Sequence, residues 1–140
     1  MKSNKKILIC IYSIFACIVL IFNFVFPEKL VYFNVNKIDI EEGRVYYEVH
    51  NGSIRKLRSH LNPVEKLYKQ NTSGDWDIIF RQQLIEDAAL TTKSFSVRTD
   101  MITVDALTPG TYKLVSDDFS FGRNKEIFYK NIHLEFVFKI

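Results

Sequence analysis

The sequence predicts an all-β domain, a two-sheet antiparallel sandwich of about seven short strands, carried on one N-terminal membrane-spanning helix. Three observations lead there. Residues 7–26 read ILICIYSIFACIVLIFNFVF, twenty positions without a charge and with only Ser13 and Asn23 polar. Beyond them the pattern changes to short alternating apolar and polar runs separated by turn residues. The charges divide at the same point. The 140 residues carry 19 basic and 16 acidic side chains, and Lys2, Lys5 and Lys6 all precede the apolar run, so 27–140 holds 16 of each sign. The formal net charge of +3 is therefore a property of the tail. The neutral remainder gives no reason to expect a nucleic-acid partner.

A helix of twenty residues rises about 30 Å, the thickness of a bilayer's hydrocarbon core. The run has no polar stripe, unlike a helix packed on a small soluble domain. Two alternatives compete with an uncleaved signal anchor. A cleaved signal peptide has a shorter apolar core and a small-x-small site, whereas Asn23, Phe24, Val25 and Phe26 supply no small residue. A lipoprotein has a small-residue box ending in cysteine, and Ile14-Phe15-Ala16-Cys17 places a bulky residue in that box and more apolar sequence after it. Lipidation at Cys17 or cleavage would show in the mature N-terminus. Three lysines before the helix, against a cancelling Glu28 and Lys29 after it, keep the N-terminus cytoplasmic and export the rest. The expected organisation is a cytoplasmic basic tail (1–6), the spanning helix (7–26), a juxtamembrane segment with the first strand (27–37) and the domain (38–140). Both cysteines, Cys10 and Cys17, lie in the helix, so the exported domain has no disulfide. Seven apart, they share one helix face.

The strands follow in order. Residues 30–35 and 37–40 form a first extended stretch, and 41–44 is a turn. Val45, Tyr47 and Val49 alternate with Tyr46, Glu48 and His50 in a half-buried strand ending at Asn51-Gly52. Residues 64–70 and 76–80 flank a polar, glycine-containing loop and read as a hairpin. Residues 94–98, 101–104 and 111–115 are further strands. In the last, 132–140, Ile132, Leu134, Phe136, Phe138 and Ile140 form one apolar face. Only 81–90 is compatible with a short helix.

Three blocks carry a resemblance. They are Val45-Tyr46-Tyr47-Glu48-Val49-His50-Asn51-Gly52-Ser53, the hairpin from Val64-Glu65-Lys66-Leu67 through Gly74-Asp75-Trp76-Asp77-Ile78-Ile79, and Leu107-Thr108-Pro109-Gly110-Thr111-Tyr112-Lys113-Leu114-Val115. In this order they are similar to the bacterial immunoglobulin-like domains of exported proteins, mainly Gram-positive, over about residues 38–140. The resemblance implies an immunoglobulin-like sandwich and an exported location, and it implies no catalytic activity. Lys113 stands where the family usually has arginine, and 54–60 is basic where it tends to be aromatic or glycine-rich. Pro109 and Gly110 make a sharp turn, Tyr112 bonds its hydroxyl to that turn, and Leu114 faces the core. With Trp76 of the hairpin, these four are the expected structural residues.

The residues for catalysis are missing. His50, His60 and His133 stand at no metal-ligand spacing. No cysteine nucleophile lies outside the helix, and the serines form no nucleophile motif. Asp75, Asp77, Asp117 and Asp118 lack the spacing of a calcium loop, so no metal or cofactor is expected. Arg55, Lys56 and Arg58 place three cations within four positions of an inter-strand segment, the candidate surface for an anionic envelope component or a partner. Phe119, Phe121, Phe128 and Tyr129 cluster around Gly122 and read as core packing rather than a binding patch. The expected function is a non-enzymatic, membrane-anchored extracytoplasmic module with an unknown protein or cell-envelope partner. The alternative is an accessory or inhibitory partner of a membrane or secreted enzyme or a secretion system.

Overall fold

The computed structural model describes residues 2–61, 64, 66–81, 85–122 and 129–140. Helix α1 (Lys2–Phe24) carries the apolar run. A single 3-10 turn, Pro27–Leu30, follows it, and Pro27 suits the first position of that turn because no helical partner is needed for an N–H there. The strands are β1 (Val31–Asp39), β2 (Arg44–Asn51), β3 (Leu57–Leu61), β4 (Lys66–Gln70), β5 (Trp76–Arg81), β6 (Ile85–Thr92), β7 (Ser96–Thr103), β8 (Thr111–Phe121) and β9 (Lys130–Lys139). One sheet has the order β1-β2-β7, and the other contains β3, β4, β5, β6, β8 and β9.

Pairing reduces these nine segments to seven strands. β9 runs along one edge of β8, from Thr111↔Lys139 to Phe121↔Lys130. The other edge of β8 is shared. β4 pairs with its first half, Lys66↔Val115 to Lys69↔Tyr112. β3 pairs with its far end, Leu57↔Phe121 and Arg58↔Ser120. β3 and β4 are thus two parts of one interrupted strand. β6 and β5, antiparallel to them, are two parts of its neighbour. The result is a three-stranded sheet against a four-stranded one. A constant-type immunoglobulin sandwich also divides seven strands four and three, with the fourth strand in the first sheet. Here the fourth strand, β5 with β6, lies in the second.

Period-2 patterning explains which faces meet. In β2, Val45, Tyr47 and Val49 are fully buried between the sheets. In β9, Ile132 and Leu134 are buried, with Phe136 and Phe138 packed against the same cluster. Phe33 of β1 joins the two layers, meeting Tyr47 edge-on at 5.6 Å and Phe119 of β8 edge-on at 5.6 Å. Phe119 and Phe121 are both completely buried core residues, whereas Tyr129 is exposed. Phe128 lies outside the described residues.

Strand extends beyond the sequence reading in several stretches. Residues 85–90 of the candidate helix belong instead to strand β6, which pairs with β3 from Leu57↔Thr92 to Leu61↔Ile85. The outer edge of β3 would otherwise carry a row of N–H and C=O groups without ladder partners, so tertiary pairing overrides local propensity. Residues 116–121, beyond the strand expected at 111–115, are also strand: β8 continues to Phe121, with an irregularity between Ser116 and Phe119.

The sandwich has two distinct ends. At the α1 end lie residues 52–56, the 93–95 turn and the start of β9. At the far end lie the turns at 40–43 and 71–75 and the segment before β8. There Gly110 exchanges backbone hydrogen bonds with Ile140 at 3.1 and 2.9 Å.

Candidate functional site

The α1 end of the sandwich is assembled around Asn51, at the close of β2. Its side chain is 1% exposed, and its Nδ2 donates to Arg55 O at 2.8 Å and Lys93 O at 3.0 Å. Its Oδ1 accepts from Ser53 N at 3.1 Å. An amide can donate and accept together, so one buried side chain ties residues 52–56 to the 93–95 turn. Ser94 Oγ adds a bond to Ile54 O at 2.7 Å, and Phe95 N donates to Ser53 O at 3.2 Å.

These loops are bonded directly to the helix region. Asn23 is 5% exposed, while the other side chains of α1 described here are exposed. Its Nδ2 donates to Val19 O at 2.9 Å, one helical turn back. Its Oδ1 accepts the backbone N–H of Ile54 at 2.8 Å. Gly52 N donates to Leu30 O at 2.7 Å, and Lys130 pairs with Glu28 at 2.7 Å while donating to Val25 O at 3.2 Å. Helix, 3-10 turn, β2–β3 loop and β9 are joined without a flexible spacer.

The surface beside the junction is aromatic and basic. Phe95 is 70% exposed, the most exposed large apolar side chain described here, and Ile54, Tyr32 and Val97 are exposed near it. Tyr32 stacks on the His50 ring at 4.5 Å, and His50 bonds Glu48 at 2.9 Å. Tyr32, His50, Gly52, Phe95 and Val97 line an open groove of about 280 Å³. Lys29, Lys56 and Lys93 are exposed at this end.

The three candidate cations separate. Arg55 is half-buried, its guanidinium 4.9 Å from the centre of the Phe121 ring. Lys56 is exposed. Arg58 is in β3, opposite Thr91 and Ser120, and not in a loop. The backbone around 57–61 is therefore sheet, so the three cations are not carried by one loop.

Of the expected structural residues, Tyr112 is 1% exposed. Its hydroxyl donates to Thr108 O at 2.6 Å and accepts from Thr108 N at 3.1 Å. Its ring stacks on Phe138 at 5.6 Å. Leu114 is fully buried. Pro109 and Gly110 line a larger open groove of about 490 Å³ with Lys69, Asp77 and Ile79. Gly110 has φ 158°, close to ordinary extended backbone. Trp76 is half-buried on the outer face, with the Lys113 ammonium 4.7 Å above its ring.

Tertiary structure also makes pairs that spacing does not reveal. His60 and Asp118, 58 positions apart, meet through their side chains, and Asp118 Oδ2 also accepts His60 N at 2.6 Å. The Asp118 side chain is only 3% exposed. Asp117 instead bonds His133 at 2.6 Å. Arg98 donates to Asp100 at 2.7 Å and Ser59 at 3.1 Å and lies over Phe119. Burial, and after it the Asp100 charge, pushes the Tyr47 hydroxyl far above the usual tyrosine range. The only sequence signal for these contacts is polar residues breaking an apolar alternation. Among the described residues no group of three or more His, Cys, Asp or Glu is placed to hold a metal. Cys10 and Cys17 are free and exposed on α1.

No family model matches the chain, and no curated protein matches it. Among solved structures it is similar to the ASH/PapD-like domain 7 of human CEP192, at 18% identity and TM-score 0.36 over 78% of this chain and 84% of that one. It is also similar to the CsuC–CsuE chaperone–tip adhesion subunit pre-assembly complex of Csu pili from Acinetobacter baumannii. That match has 11% identity and TM-score 0.38 over 74% of this chain and 55% of that one. At such scores neither likeness adds to what the strand pairing establishes: an antiparallel, immunoglobulin-like β-sandwich preceded by an apolar helix.

Proposed function

We propose that this chain is a membrane-anchored, extracytoplasmic binding module without catalytic activity, a relative of the bacterial immunoglobulin-like domains. The supporting observation is the relation between α1 and the sandwich. A 20-residue helical stretch, Lys5–Phe24, is long and apolar enough to cross a bilayer, and its side chains are exposed except where Asn23 meets the domain. Water makes so much bare apolar surface unfavourable, and a bilayer removes it. The lysines ahead of the helix favour a cytoplasmic N-terminus, so the sandwich stands at the outer surface and presents its far end to partners.

The test is cell fractionation with labelling. In a chain carrying Cys10→Ala, Cys17→Ala and Ser73→Cys, the far-end loop holds the one thiol. The chain should stay in membranes through alkaline extraction, and Ser73→Cys should react with a membrane-impermeant maleimide on intact cells. Release into the soluble fraction, or labelling only after lysis, rejects the reading. Mass spectrometry of the mature N-terminus of the unaltered chain adds a further check: a start at lipidated Cys17 replaces the anchor with a lipid chain.

One observation favours the accessory or inhibitory role. Among the described residues β5 pairs only with β4, and its exposed Ile78 and Ile79 leave a strand edge with apolar side chains at the far end. Crosslinking from that edge in intact cells, with an exported enzyme or secretion component recovered, supports this role.

A further inference from the structure

We infer that the α1 end of the sandwich is a lipid-contacting foot, with Phe95 and Ile54 seated in the bilayer interface and lysines beside them facing anionic headgroups. The inference rests on the reading of α1 as a membrane anchor and goes beyond it, because an anchor alone leaves its domain free to swing. Three observations carry it.

The first is level. Asn23, the residue before the last one of α1, bonds the backbone of Ile54. The N–H of Phe95 is bonded to the carbonyl of Ser53, the residue before Ile54. Both tips are therefore held beside the final turn of the helix, and wherever that turn leaves the hydrocarbon the tips are at the headgroups. No tether intervenes, since 3-10 turn and β9 are locked by Gly52, Glu28 and Lys130 as well.

The second is the choice of residue at the turn. Phe95 has φ 52°, the one non-glycine with positive φ among the described residues. Left-handed backbone suits Gly or Asn, and a bulky aromatic there is strained. Phe95 is also 70% exposed. In water this residue is unfavourable both in backbone and in side chain, and it contributes nothing to the core. A bilayer interface removes the second penalty, because the apolar ring leaves water for the headgroup–acyl boundary. Tyr32, exposed across the adjoining groove, presents a phenol at the same end.

The third is charge. Lys29, Lys56 and Lys93 are exposed around the tips, although the domain as a whole is neutral. Cations gathered at the end nearest the helix complement anionic lipid.

The experiment places an environment-sensitive fluorophore at Phe95→Cys, Ile54→Cys or Ser73→Cys. Each is in the full chain with Cys10→Ala and Cys17→Ala, reconstituted in phosphatidylcholine vesicles with or without phosphatidylglycerol. The expected result is blue-shifted emission at 95 and 54, quenched by lipids with a nitroxide near the headgroup and more strongly with phosphatidylglycerol. The probe at 73 should remain aqueous. A chain that resists alkaline extraction while its 95 and 54 probes stay aqueous overturns the foot and leaves the anchor standing. Probes that are shielded in native envelopes but not in pure lipid also overturn it, in favour of a protein at this end. A chain stripped from the vesicles at alkaline pH overturns both readings.

Discussion

Asn23 and Ile54 are 31 positions apart, and the side-chain oxygen of the first accepts the backbone N–H of the second at 2.8 Å. One of only two polar residues in an apolar run of twenty thus holds the helix to the sandwich. Replacing it by leucine makes the helix more apolar but leaves the Ile54 N–H without that acceptor, at a cost of about 1–2 kcal/mol. Amide exchange at Ile54 should accelerate in Asn23→Leu. Distances between spin labels on α1 and at Ser73→Cys should broaden. A distribution as narrow as that of the parent would show that the other contacts suffice.

Tyr112 and Thr108 form a closed corner in which one hydroxyl both donates and accepts. Tyr112→Phe keeps the ring against Phe138 and removes only the hydroxyl. The expected loss is about 1 kcal/mol, or roughly 4 °C in melting temperature for a domain of this size. Unchanged melting would mean that the corner is held by ring packing alone.

Gly43 and Gly74 separate two kinds of glycine. Both have positive φ, 64° and 90°. A Cβ at Gly43 would lie 2.1 Å from Val104 O, on rigid backbone, whereas at Gly74 it would meet nothing within 4 Å. Gly74→Ala should cost about 1 kcal/mol for its backbone conformation. Gly43→Ala should cost about 3 kcal/mol, because the chain must also move. Denaturant unfolding of the two variants measures the difference, and equal losses would rule out the close approach.

Glu28 and Lys130 give an acid dependence. Partial burial raises the Glu28 carboxyl, but the Lys130 hydrogen bond, a backbone hydrogen bond and the Lys130 and Lys29 charges together outweigh it and leave the pKa below its ordinary 4.5. A depressed folded-state pKa adds stability that is complete above the unfolded value and disappears as pH falls through the folded one. Stability should therefore fall more steeply below about pH 4.5 in the parent than in Glu28→Gln. At neutral pH the variant should lose under about 1 kcal/mol, since the pair is partly exposed to solvent. Parallel acid profiles would exclude this pair as the source.

Local patterning made much of the architecture legible. Alternation in 45–49 and 132–140 identifies strands whose inward residues are buried, because a pleated strand turns every second side chain to one face. The Asn-Gly-Ser and Pro-Gly positions mark turns for stereochemical reasons that need no partner. Other features depended on neighbours. Helical propensity in 81–90 could not register the open edge of β3. The basic run 55–58 gave no sign that Arg58 lies in a sheet while Lys56 lies at a tip. His60 with Asp118 and Arg98 with Ser59 unite residues far apart in the chain.

By itself, then, the sequence determined a neutral β-sandwich behind a charge-free apolar run, since hydrophobic period and charge placement act residue by residue. Only the tertiary structure decided that Asn23 reaches the domain and that the fourth strand joins the larger sheet. It alone brought Phe95 beside the helix end. Those outcomes follow from pairing buried backbone groups across the chain, and no local pattern encodes which groups will meet.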